Sequence, residues 1–531
     1  MKLVIFLTVM LYMQSGIAQS TFNYTVALNP ITIEGLPGLH SYAYAQADNK
    51  WLIIGGRKDG IHARQPFNAF PESKNNTDII VIDIKGMRYY SVSVNTLPVN
   101  LKEQLQSTNM QAIQVEDTLY IMGGYGYAAS ADAHITFPYL TTVQVSELIN
   151  AIMHGNAIES YFRQVADDAF CVTGGELGVI GNNFYLVGGQ RFDGRYNPMN
   201  HPTFTQTYTD AIRIFTIDNS GAAIHFENIS TLTDPVHLHR RDYNLIPQIF
   251  ADGTTGYTIS SGVFQIGADV PFLYPVDINA TGYLPNTSFN QYLSNYHSAH
   301  TALFDSLQHA MHHLFFGGMS QYYYDGDVVM KDDRVPFVKT ISLLSRFADG
   351  HLQESRLQTE MPMFTGAGAE FFPNLNLPYY NAEILRLQQL TSDTTVIGYI
   401  FGGIESTQDN PFTMNQTGAT SAGATIYEVQ LIKSEPAVLQ TLNGANPYDM
   451  LIYPNPAERK INVDFYLPHT VDIRYYFTTI NGQHLQDGVL SNQAEGNNTV
   501  SFELQESNYS PVFLTFIFDD IYFVTKPVIL Q

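Results

Sequence analysis

The chain has 531 residues, which gives room for roughly two or three domains that each bury a core. Its 49 acidic and 26 basic residues give a net charge of −23, which excludes nucleic acid and anionic membrane surfaces as general partners because both would repel it. Aromatic residues make up 13% and charged residues only 14%, a balance typical of β-rich secreted proteins. The single cysteine, Cys171, excludes an intramolecular disulfide, so we expect a bacterial extracellular protein that is stabilised by packing.

The N-terminus predicts a secretory signal peptide over residues 1–18. Lys2 is followed by an apolar run over residues 3–12, and the small residues Gly16 and Ala18 stand at the −3 and −1 positions of a cleavage site. The apolar run is too short to span a membrane, and no later segment has the pattern of a transmembrane helix. We therefore expect a secreted or cell-surface protein without a transmembrane anchor.

A short apolar run that ends in two glycines recurs along the chain, after a first predicted strand at residues 24–33. Such self-similarity indicates a repeat architecture. The apolar, β-branched and aromatic run is typical of a strand buried on both faces of a sheet. A glycine pair lets the chain turn with positive φ and lets the next unit pack against bare backbone. The doublets are Gly55-Gly56, Gly123-Gly124, Gly188-Gly189, Gly317-Gly318 and Gly402-Gly403, with a degenerate copy at Ser261-Gly262.

This pattern resembles the kelch motif, whose second strand ends in a glycine doublet. Six copies imply an all-β fold, a six-bladed kelch-type β-propeller over residues 19–435. The last repeat supplies three strands, so we expect the strand at 24–33 to add the fourth and close the ring. The Tyr and Trp that usually follow the kelch doublets are not evident, and glycine doublets could also mark turns in another all-β fold.

One insertion in the second repeat has apolar residues at helical spacing. The run from Ser146 to Met153 predicts a short helix on a loop, with Ser146 as its N-cap. We expect this helix to cover the edge of a blade.

After the last repeat, residues 436–447 contain Pro, Asn and Gly and predict a linker. Residues 448–531 predict a small C-terminal β-sandwich, because a turn-rich Pro-Asn-Pro is followed by alternating strands and an Asn481-Gly482 turn. This segment resembles the C-terminal sorting domain of the type IX secretion system of Bacteroidota, on the motif Tyr453, Pro454, Asn455 and Pro456 and on its place at the end of the chain.

The resemblance to the sorting domain implies export through the type IX machinery, removal of the domain, and release or surface attachment of the propeller. The chain departs from the family in one place, where Asn508-Tyr509-Ser510 stands instead of the usual Gly-x-Tyr. An ordinary immunoglobulin-like accessory domain would also fit the predicted strands.

The propeller geometry predicts where a ligand binds. Successive strands run antiparallel, so the loop into each innermost strand and the loop after each glycine doublet lie on the same face, where the channel opens. Arginine forks suit carboxylates, phosphates or sulfates, and tyrosine rings stack on sugars. We therefore expect a carbohydrate or an anionic peptide or glycan at this mouth. The candidate binding residues are Arg57, Arg191, Arg195, Arg240, Arg241, Asp242, Tyr243, His297, Tyr322 and Glu405.

Other polar residues share those loop positions, and a structural role for the arginines stays open. Pairs between the arginines and Asp193, Asp242 or Glu405 would bridge neighbouring blades without any ligand. The further residues at these positions are Lys58, His62, Gln190, Asp193, His239, His300, Gln321, Tyr323 and Tyr324.

The histidines show no metal-ligand pattern, and we predict no metal and no cofactor. His297 and His300 are three residues apart on a predicted strand, so they point to opposite faces. No HExxH helix and no second cysteine accompany them. Calcium could bind the acidic loops that contain Asp325-Gly-Asp327 and Asp332-Asp333, but these lack EF-hand spacing, and a solvated loop is the alternative.

Two kinds of enzyme on kelch-type propellers stay open as alternatives. Galactose oxidase-like copper enzymes use a Cys–Tyr crosslink, a second Tyr and two His, and Cys171 stands near a predicted innermost strand. A lone cysteine is, however, typical of a small buried apolar residue. Sialate mutarotases are the second kind, on the fold alone.

The sequence shows no nucleophile elbow, phosphate loop or paired-carboxylate motif. We therefore expect a binding protein rather than an enzyme. Its expected partners are a glycan or protein ligand and the type IX machinery, and nucleic acid is not among them.

Overall fold

A computed structural model describes residues 22–197, 203–294, 296–434, 439–504 and 510–530. The predicted signal peptide lies outside the described residues, as do Asn508 and Tyr509. Within the described ranges the chain forms six sheets with four-stranded antiparallel cores, followed by the two sheets of a C-terminal sandwich. The first strands of successive blades contact one another around a central channel. The fold is the predicted six-bladed propeller with a C-terminal β-sandwich, and the prediction of an all-β kelch-type fold is confirmed.

Blades 1 to 3 hold their strands in chain order, but the segments after the doublets of blades 2 and 3 differ from the prediction. The sequence predicted polar loops there, and the structure has two-stranded hairpins. The strands are β1 Tyr24–Ile31, which precedes the blades; β2 Ala43–Ala47, β3 Lys50–Ile54, β4 Asp78–Asp83 and β5 Arg88–Ser93 in blade 1; β6 Gln111–Val115, β7 Thr118–Met122, the hairpin β8 Tyr125–Ala128 and β9 Ala133–Thr136, β10 Tyr139–Gln144 and β11 Phe162–Ala166 in blade 2; and β12 Glu176–Ile180, β13 Asn183–Val187, the hairpin β14 Gln190–Gly194 and β15 Phe204–Tyr208, β16 Ala211–Asp218 and β17 His225–Thr233 in blade 3.

Blades 4 to 6 repeat the same plan, and the sheets of blades 5 and 6 gain extra strands. The strands of blade 4 are β18 Asn244–Ile249, β19 Thr255–Ser260, β20 Val276–Asn279 and β21 Gly282–Pro285. Those of blade 5 are β22 His300–Asp305, β23 Ala310–Phe316, the hairpin β24 Tyr322–Asp325 and β25 Val328–Lys331, β26 Thr340–Arg346 and β27 Leu352–Glu360. Those of blade 6 are β28 Phe364–Pro373, β31 Thr394–Ser406, β32 Thr420–Ala422 and β33 Ile426–Lys433, and an insertion between β28 and β31 forms β29 Tyr379–Tyr380 and β30 Ile384–Arg386, which join the sheet of blade 5.

The N-terminal strand closes the ring. Strand β1 pairs antiparallel with β33 over eight residues, from Tyr24 opposite Lys433 to Ile31 opposite Ile426, so the sheet of blade 6 has the order β1-β33-β31-β28. Val26 is buried in the same apolar cluster as Val429 and Leu431. The first and last parts of the propeller therefore share one sheet and one core.

The glycine doublets connect each blade to the next. In each of the five Gly-Gly doublets the second glycine donates its backbone N–H to a carbonyl at or just before the innermost strand of the following blade, at 2.8–2.9 Å. The first glycine has positive φ, and at Gly123 a side-chain Cβ would overlap the Val172 carbonyl oxygen. A residue with a side chain is thus excluded both by conformation and by space. The hydrogen-bonded pairs are Gly56 with Ser107, Gly124 with Val172, Gly189 with Arg240, Gly318 with Thr365, and Gly403 with Leu39.

The predicted insertion helix is present, but its cap is different. Helix α2 spans Val145–His154, and Ser146 lies inside its first turn instead of capping it. Asp117 accepts hydrogen bonds from the Ser146 N–H and hydroxyl. The apolar face of α2 packs into the core between blades 1 and 2. The other helical segments are α1 Val99–Leu105 and the short 3₁₀ turns Glu72–Lys74, Val94–Thr96, Glu159–Tyr161, Asp168–Phe170, Leu387–Gln389 and Thr417–Ala419.

The C-terminal segment forms two facing sheets, one with the order β35-β36-β39 and one with the order β38-β37-β40-β41. Their inner faces share a core that includes Ile461, Phe477 and Phe516. Gly482 has positive φ at the predicted turn between β37 and β38. The segment predicted to be a linker contains a strand, β34, that pairs with the outer strand of blade 5. The strands are β34 Gln440–Leu442, β35 Met450–Tyr453, β36 Lys460–Leu467, β37 Val471–Thr479, β38 His484–Gln493, β39 Gly496–Glu503, β40 Val512–Phe518 and β41 Tyr522–Val528.

The sandwich packs directly onto the propeller. Tyr476, Ile517 and Phe523 belong to the same apolar cluster as residues of blades 3 and 4. The Phe523 ring lies 4.6 Å from the Tyr274 ring, between centroids. Among the described residues, no helix is both apolar enough and long enough to cross a membrane.

Candidate ligand-binding site

A cavity of about 960 Å³ opens at the channel mouth, on the face where the chain leaves the glycine doublets. Every blade contributes to its lining, as expected for loops that converge on the axis of a ring.

Strand β30, from the insertion in blade 6, pairs in parallel with β22, the innermost strand of blade 5, on the side of β22 that faces the channel. A strand on that inner edge occupies part of the channel. The lining includes Arg57 and His62 of blade 1, Asn109 and Tyr125 of blade 2, Gln190 and Tyr208 of blade 3, Arg241 and Phe264 of blade 4, Tyr296 and His297 of blade 5, and Ile404 and Phe412 of blade 6.

Aromatic rings form much of the cavity wall. Tyr208, the last residue of β15, stacks on His239 with the ring centroids 3.8 Å apart. Phe264 lies edge-on to Tyr296 at 6.5 Å. On the opposite side, Phe412 lies edge-on to His62 at 5.2 Å. Rings held against one another in this way present fixed apolar faces to a ligand.

The arginines that line the cavity are mostly paired with carboxylates. Arg241 forms an ion pair with Asp242 and donates from Nε to the Tyr208 hydroxyl at 3.0 Å, while its guanidinium lies over the Phe264 ring. Arg57 donates to both carboxylate oxygens of Asp59, at 2.9 and 2.7 Å.

Two further arginines complete the lining set. Arg334 pairs with Asp332 at 2.6 Å. In the described part of the chain, Arg64 makes no ion pair, and it donates to the Thr413 carbonyl. Most of the positive charge at the mouth is thus compensated within the protein.

His297 of the cavity lining lies beside two glutamates, Glu176 and Glu370, which are not themselves part of the lining. His297 Nε2 is 3.2 Å from Glu370 Oε1, and its Nδ1 is 3.7 Å from Glu176 Oε1. Burial lowers the pKa of His297, but Glu370, Glu176 and Asp242 outweigh burial and raise it to about 10. Burial raises the pKa of Glu176 to about 7, although His297 opposes the rise. A protonated imidazole and a carboxyl that titrates near neutrality therefore share one site.

The structure brings together only part of the predicted site. Arg57, Arg241, Asp242 and His297 line the cavity, together with His62, Gln190 and His239. The other six predicted binding residues lie outside its lining: Arg191, Arg195, Arg240, Tyr243, Tyr322 and Glu405.

Arg240 is fully buried inside blade 4, where its side chain binds three backbone carbonyls. Its Nε donates to the His237 carbonyl at 2.9 Å, and its Nη1 donates to the carbonyls of Ser261 and Tyr274 at 2.6 and 2.8 Å. The guanidinium lies over the rings of Phe272 and Tyr274. These contacts hold the backbone of the degenerate doublet in place.

The remaining outlying residues also have protein partners or neighbours. Tyr243 is buried and donates to the Val187 carbonyl, and Arg195 donates to His134. Tyr322 packs edge-on against Tyr292 near the sandwich. Burial raises the pKa of Glu405.

Two arginine–aspartate pairs do not bridge neighbouring blades, in contrast to the structural role considered above. Arg191 pairs with Asp193 at 2.7 Å, two residues along the same hairpin. Arg241 pairs with Asp242, the next residue in the chain. Both pairs therefore lie within a single blade.

The residues of the predicted sorting motif lie in the sandwich, far along the chain from the cavity loops. The Asn455 side chain donates to the Pro527 carbonyl at 2.8 Å and accepts from the Ile529 N–H at 2.9 Å. Tyr453 donates to Asp464. The motif thus ties the first loop of the sandwich to its last strand.

Sequence reasoning missed Glu176, Glu370, Tyr208, Phe264 and Tyr296. A charged residue on a strand next to a central channel is a usable signal, and it applies to Glu176 at the start of β12 and to Glu370 in β28. Tyr208 was missed because it lies on the return strand of a hairpin that was predicted to be a loop.

The arrangement of Cys171 does not fit the copper centre of the galactose oxidase-like alternative. That centre needs the cysteine bonded to a tyrosine ring at the active site. Cys171 Sγ lies 3.0 Å from the Thr136 carbonyl and outside the cavity lining, and burial raises its pKa to about 11. Over the described ranges, no group of three or more His, Cys, Asp or Glu residues is placed to hold a metal.

The acidic loops of blade 5 have cationic neighbours. Asp332 pairs with Arg334, Asp327 with Arg356, and Asp333 with Lys331. These pairs compensate the charges that the sequence offered for calcium.

No protein-family model matches this sequence, and no curated protein matches it. Among solved structures, the chain is similar to YjhT at 11% identity, over 78% of this chain and 100% of that one, with a TM-score of 0.42. It is also similar to a fungal alcohol oxidase of the AA5 family in complex with copper, at 9% identity, over 96% of this chain and 100% of that one, with a TM-score of 0.35. The chain's own strand order and glycine doublets define it as a kelch-type six-bladed propeller.

Proposed function

We propose that the protein binds a neutral carbohydrate in the cavity at the channel mouth. The observation that carries this proposal is a wall of fixed aromatic rings beside arginines that are already paired with carboxylates. Rings such as Tyr208 and Phe264 offer flat faces to the C–H surface of a sugar. The Arg241–Asp242 pair offers both donors and acceptors to ring hydroxyls.

The compensated charges favour a neutral sugar over an acidic one. An anionic ligand would have to compete with Asp59 for Arg57 and with Asp242 for Arg241. Breaking a charge-assisted pair in a partly buried site costs free energy that an uncharged ligand does not have to supply.

The proposal is tested by calorimetric titration of the full chain with methyl glycosides of glucose, galactose and mannose, and with N-acetylneuraminic acid as the anionic probe. We expect saturable binding of at least one neutral glycoside. Tyr208→Ala should weaken it about tenfold through loss of the stacking face. Tyr466→Ala removes an exposed ring in the sandwich and should leave binding unchanged. Exclusive binding of the acidic sugar, or full affinity in Tyr208→Ala, would overturn the proposal.

The cluster of His297, Glu176 and Glu370 favours a second candidate, an enzyme that moves protons on the bound sugar. A carboxyl whose pKa is about 7 can accept or donate a proton near neutral pH, and the neighbouring imidazolium can stabilise the charged form. A mutarotase would use such groups at the anomeric centre. NMR exchange between sugar anomers measures this activity, and Glu176→Gln should abolish catalysed exchange while glycoside binding persists.

We further propose that the protein is secreted or displayed on the cell surface. The support is the sequence of residues 1–18 and the motif that starts at Tyr453. Expression in a Bacteroidota host with and without residues 1–18, followed by fractionation, tests this, because this deletion leaves the sandwich and its contacts with the propeller in place. Loss of the extracellular pool in the shortened chain is the expected result.

A further inference from the structure

One wall of the cavity is built by a loop that the propeller does not hold alone. This wall loop, residues 263–269, is part of the connection between β19 and β20 of blade 4. Five of its residues line the cavity: Phe264, Gln265, Ile266, Gly267 and Asp269.

Arg474 of the sandwich reaches the tip of the wall loop. Its guanidinium donates to the Ile266 carbonyl and to the Gln265 side-chain oxygen. Its Nε is fixed by Asp520 at 2.8 Å, and only 12% of its side chain is exposed. One arginine thus joins strand β37 to two successive residues of the cavity wall.

Two further sandwich groups hold the same tip. Tyr476 donates its hydroxyl to the Ile266 carbonyl at 3.1 Å. The Gln265 amide donates to the Asp520 carbonyl at 2.6 Å. The three contacts come from β37 and from the turn before β41, both of which are anchored by the shared apolar core around Phe523.

The sandwich also supports the segment that leads to Tyr296 and His297. The Asn290 side chain donates to the Ile521 carbonyl at 3.4 Å, and the hydroxyls of Tyr292 and Tyr522 lie 3.0 Å apart. The linker pairs here as well, since Asn290 donates its backbone N–H to the Gly444 carbonyl at 2.7 Å.

We propose that the C-terminal sandwich is a permanent part of the binding site and that Arg474 is a positioning residue for its wall. Phe264 stacks on the Arg241 guanidinium and next to Tyr296, so displacement of the loop tip would move a ring out of the sugar-binding wall. A sandwich that is cut away after export would take this support with it. The role in affinity rests on the proposed carbohydrate binding, whereas the ordering of the loop does not.

The test combines hydrogen exchange and ligand titration on the full chain. In Arg474→Ala we expect amides of residues 263–269 to exchange about fivefold faster than in the wild type. Affinity for the methyl glycoside that binds best to the wild type should fall about tenfold. Arg474→Lys keeps the charge, but an ammonium does not reproduce the fork that spans these acceptors, so it should show the same changes in smaller size. Lys460→Ala removes an exposed charge within the sandwich and should change neither readout.

The two readouts separate the possible failures. If exchange in the wall loop is the same in Arg474→Ala and the wild type, the positioning role is wrong. If exchange rises but the affinity for the glycoside is unchanged, the wall loop does not contribute to binding and the inference is wrong in that part. If the wild type binds none of the glycosides, the proposed function fails, and the exchange data alone decide whether the sandwich orders the cavity wall.

Discussion

At His297 two opposing effects act on the same proton. Burial favours the neutral imidazole, and three carboxylates favour the imidazolium and outweigh burial. Folding therefore raises the pKa of His297 from about 6.5 to about 10, so the folded state holds this proton more tightly than the unfolded state. The stabilisation is complete below pH 6.5 and is lost as the pH rises towards 10.

Replacing His297 by Gln should remove this pH dependence. Between pH 7 and pH 9 we expect the free energy of unfolding of the wild type to fall by roughly 2 kcal/mol more than that of His297→Gln. Urea unfolding at the two pH values measures the difference. His154→Gln, at the exposed end of α2, is the control and should keep the wild-type slope. Equal slopes in His297→Gln and the wild type would contradict the assignment of a raised pKa.

Two adjacent arginines, Arg240 and Arg241, have different surroundings in the structure. Arg240 and Arg241 are the same residue type on the same predicted loop, and both were predicted to bind ligand. Arg240 is enclosed by carbonyls and rings of its own blade, whereas Arg241 faces the cavity. The residue type and the place in the loop are the same for both, so only the surrounding groups decided which arginine reached the cavity.

At the scale of the element, each glycine doublet connects one blade to the next. The backbone N–H of the second glycine and the Cα of the first glycine both face the next blade. The repeated sequence pattern therefore records an inter-blade contact, which explains why it could be recognised without any knowledge of the tertiary structure.

Two glycine-to-alanine variants separate the cost of the left-handed backbone conformation from the cost of steric overlap with the next blade. Gly123 and Gly155 both have positive φ, at 62° and 69°, but a Cβ at Gly123 would overlap the Val172 carbonyl, whereas at Gly155 nothing lies within 4 Å. Gly155→Ala should cost about 1 kcal/mol of unfolding free energy, from the left-handed conformation alone. Gly123→Ala should cost about 3 kcal/mol or more, because it also displaces the next blade. Chemical denaturation of both variants checks this, and equal losses would mean that the doublet is conserved in the repeats for its conformation only.

At the scale of the whole molecule, the ring is closed by hydrogen bonds between strands that lie at opposite ends of the propeller sequence. Strand β1 covers the edge of β33 that would otherwise stay open. The apolar cluster of blade 6 includes Val26 from β1 and extends into blade 5, so the loss of β1 would weaken more than its own blade.

A charge at the closure should therefore destabilise the propeller as a unit. Val26→Asp places an unpaired carboxylate in that core and should lower the free energy of unfolding by about 3 kcal/mol. Thr25→Asp, at the neighbouring exposed position of the same strand, should cost less than about 1 kcal/mol. Calorimetry should show the propeller transition shifted as a whole in Val26→Asp. A comparable shift in both variants would show that the closure does not depend on the buried face of β1.

Most of the fold could be predicted from the sequence, and less of the site. The closing strand β1 and the helix α2 fall close to their predicted ranges, because each depends on a local run of residues. The hairpin β14–β15 was missed because the residues of β15 are mostly polar and show no buried face, although Tyr208 at the end of this strand lines the cavity. The helix cap was misassigned because Asp117, the residue that performs it, lies on another turn.

The sequence alone determined the all-β class, the six repeats, and the closing role of the first strand, since each of these is written in periodic local patterns that need no partner to be seen. The tertiary structure alone decided which arginines face the cavity, that Glu176 and Glu370 meet His297, and that Arg474 reaches the cavity wall. The reason is physical: burial and pairing are set by groups that are distant in the chain, and a residue's type does not reveal which distant groups will surround it.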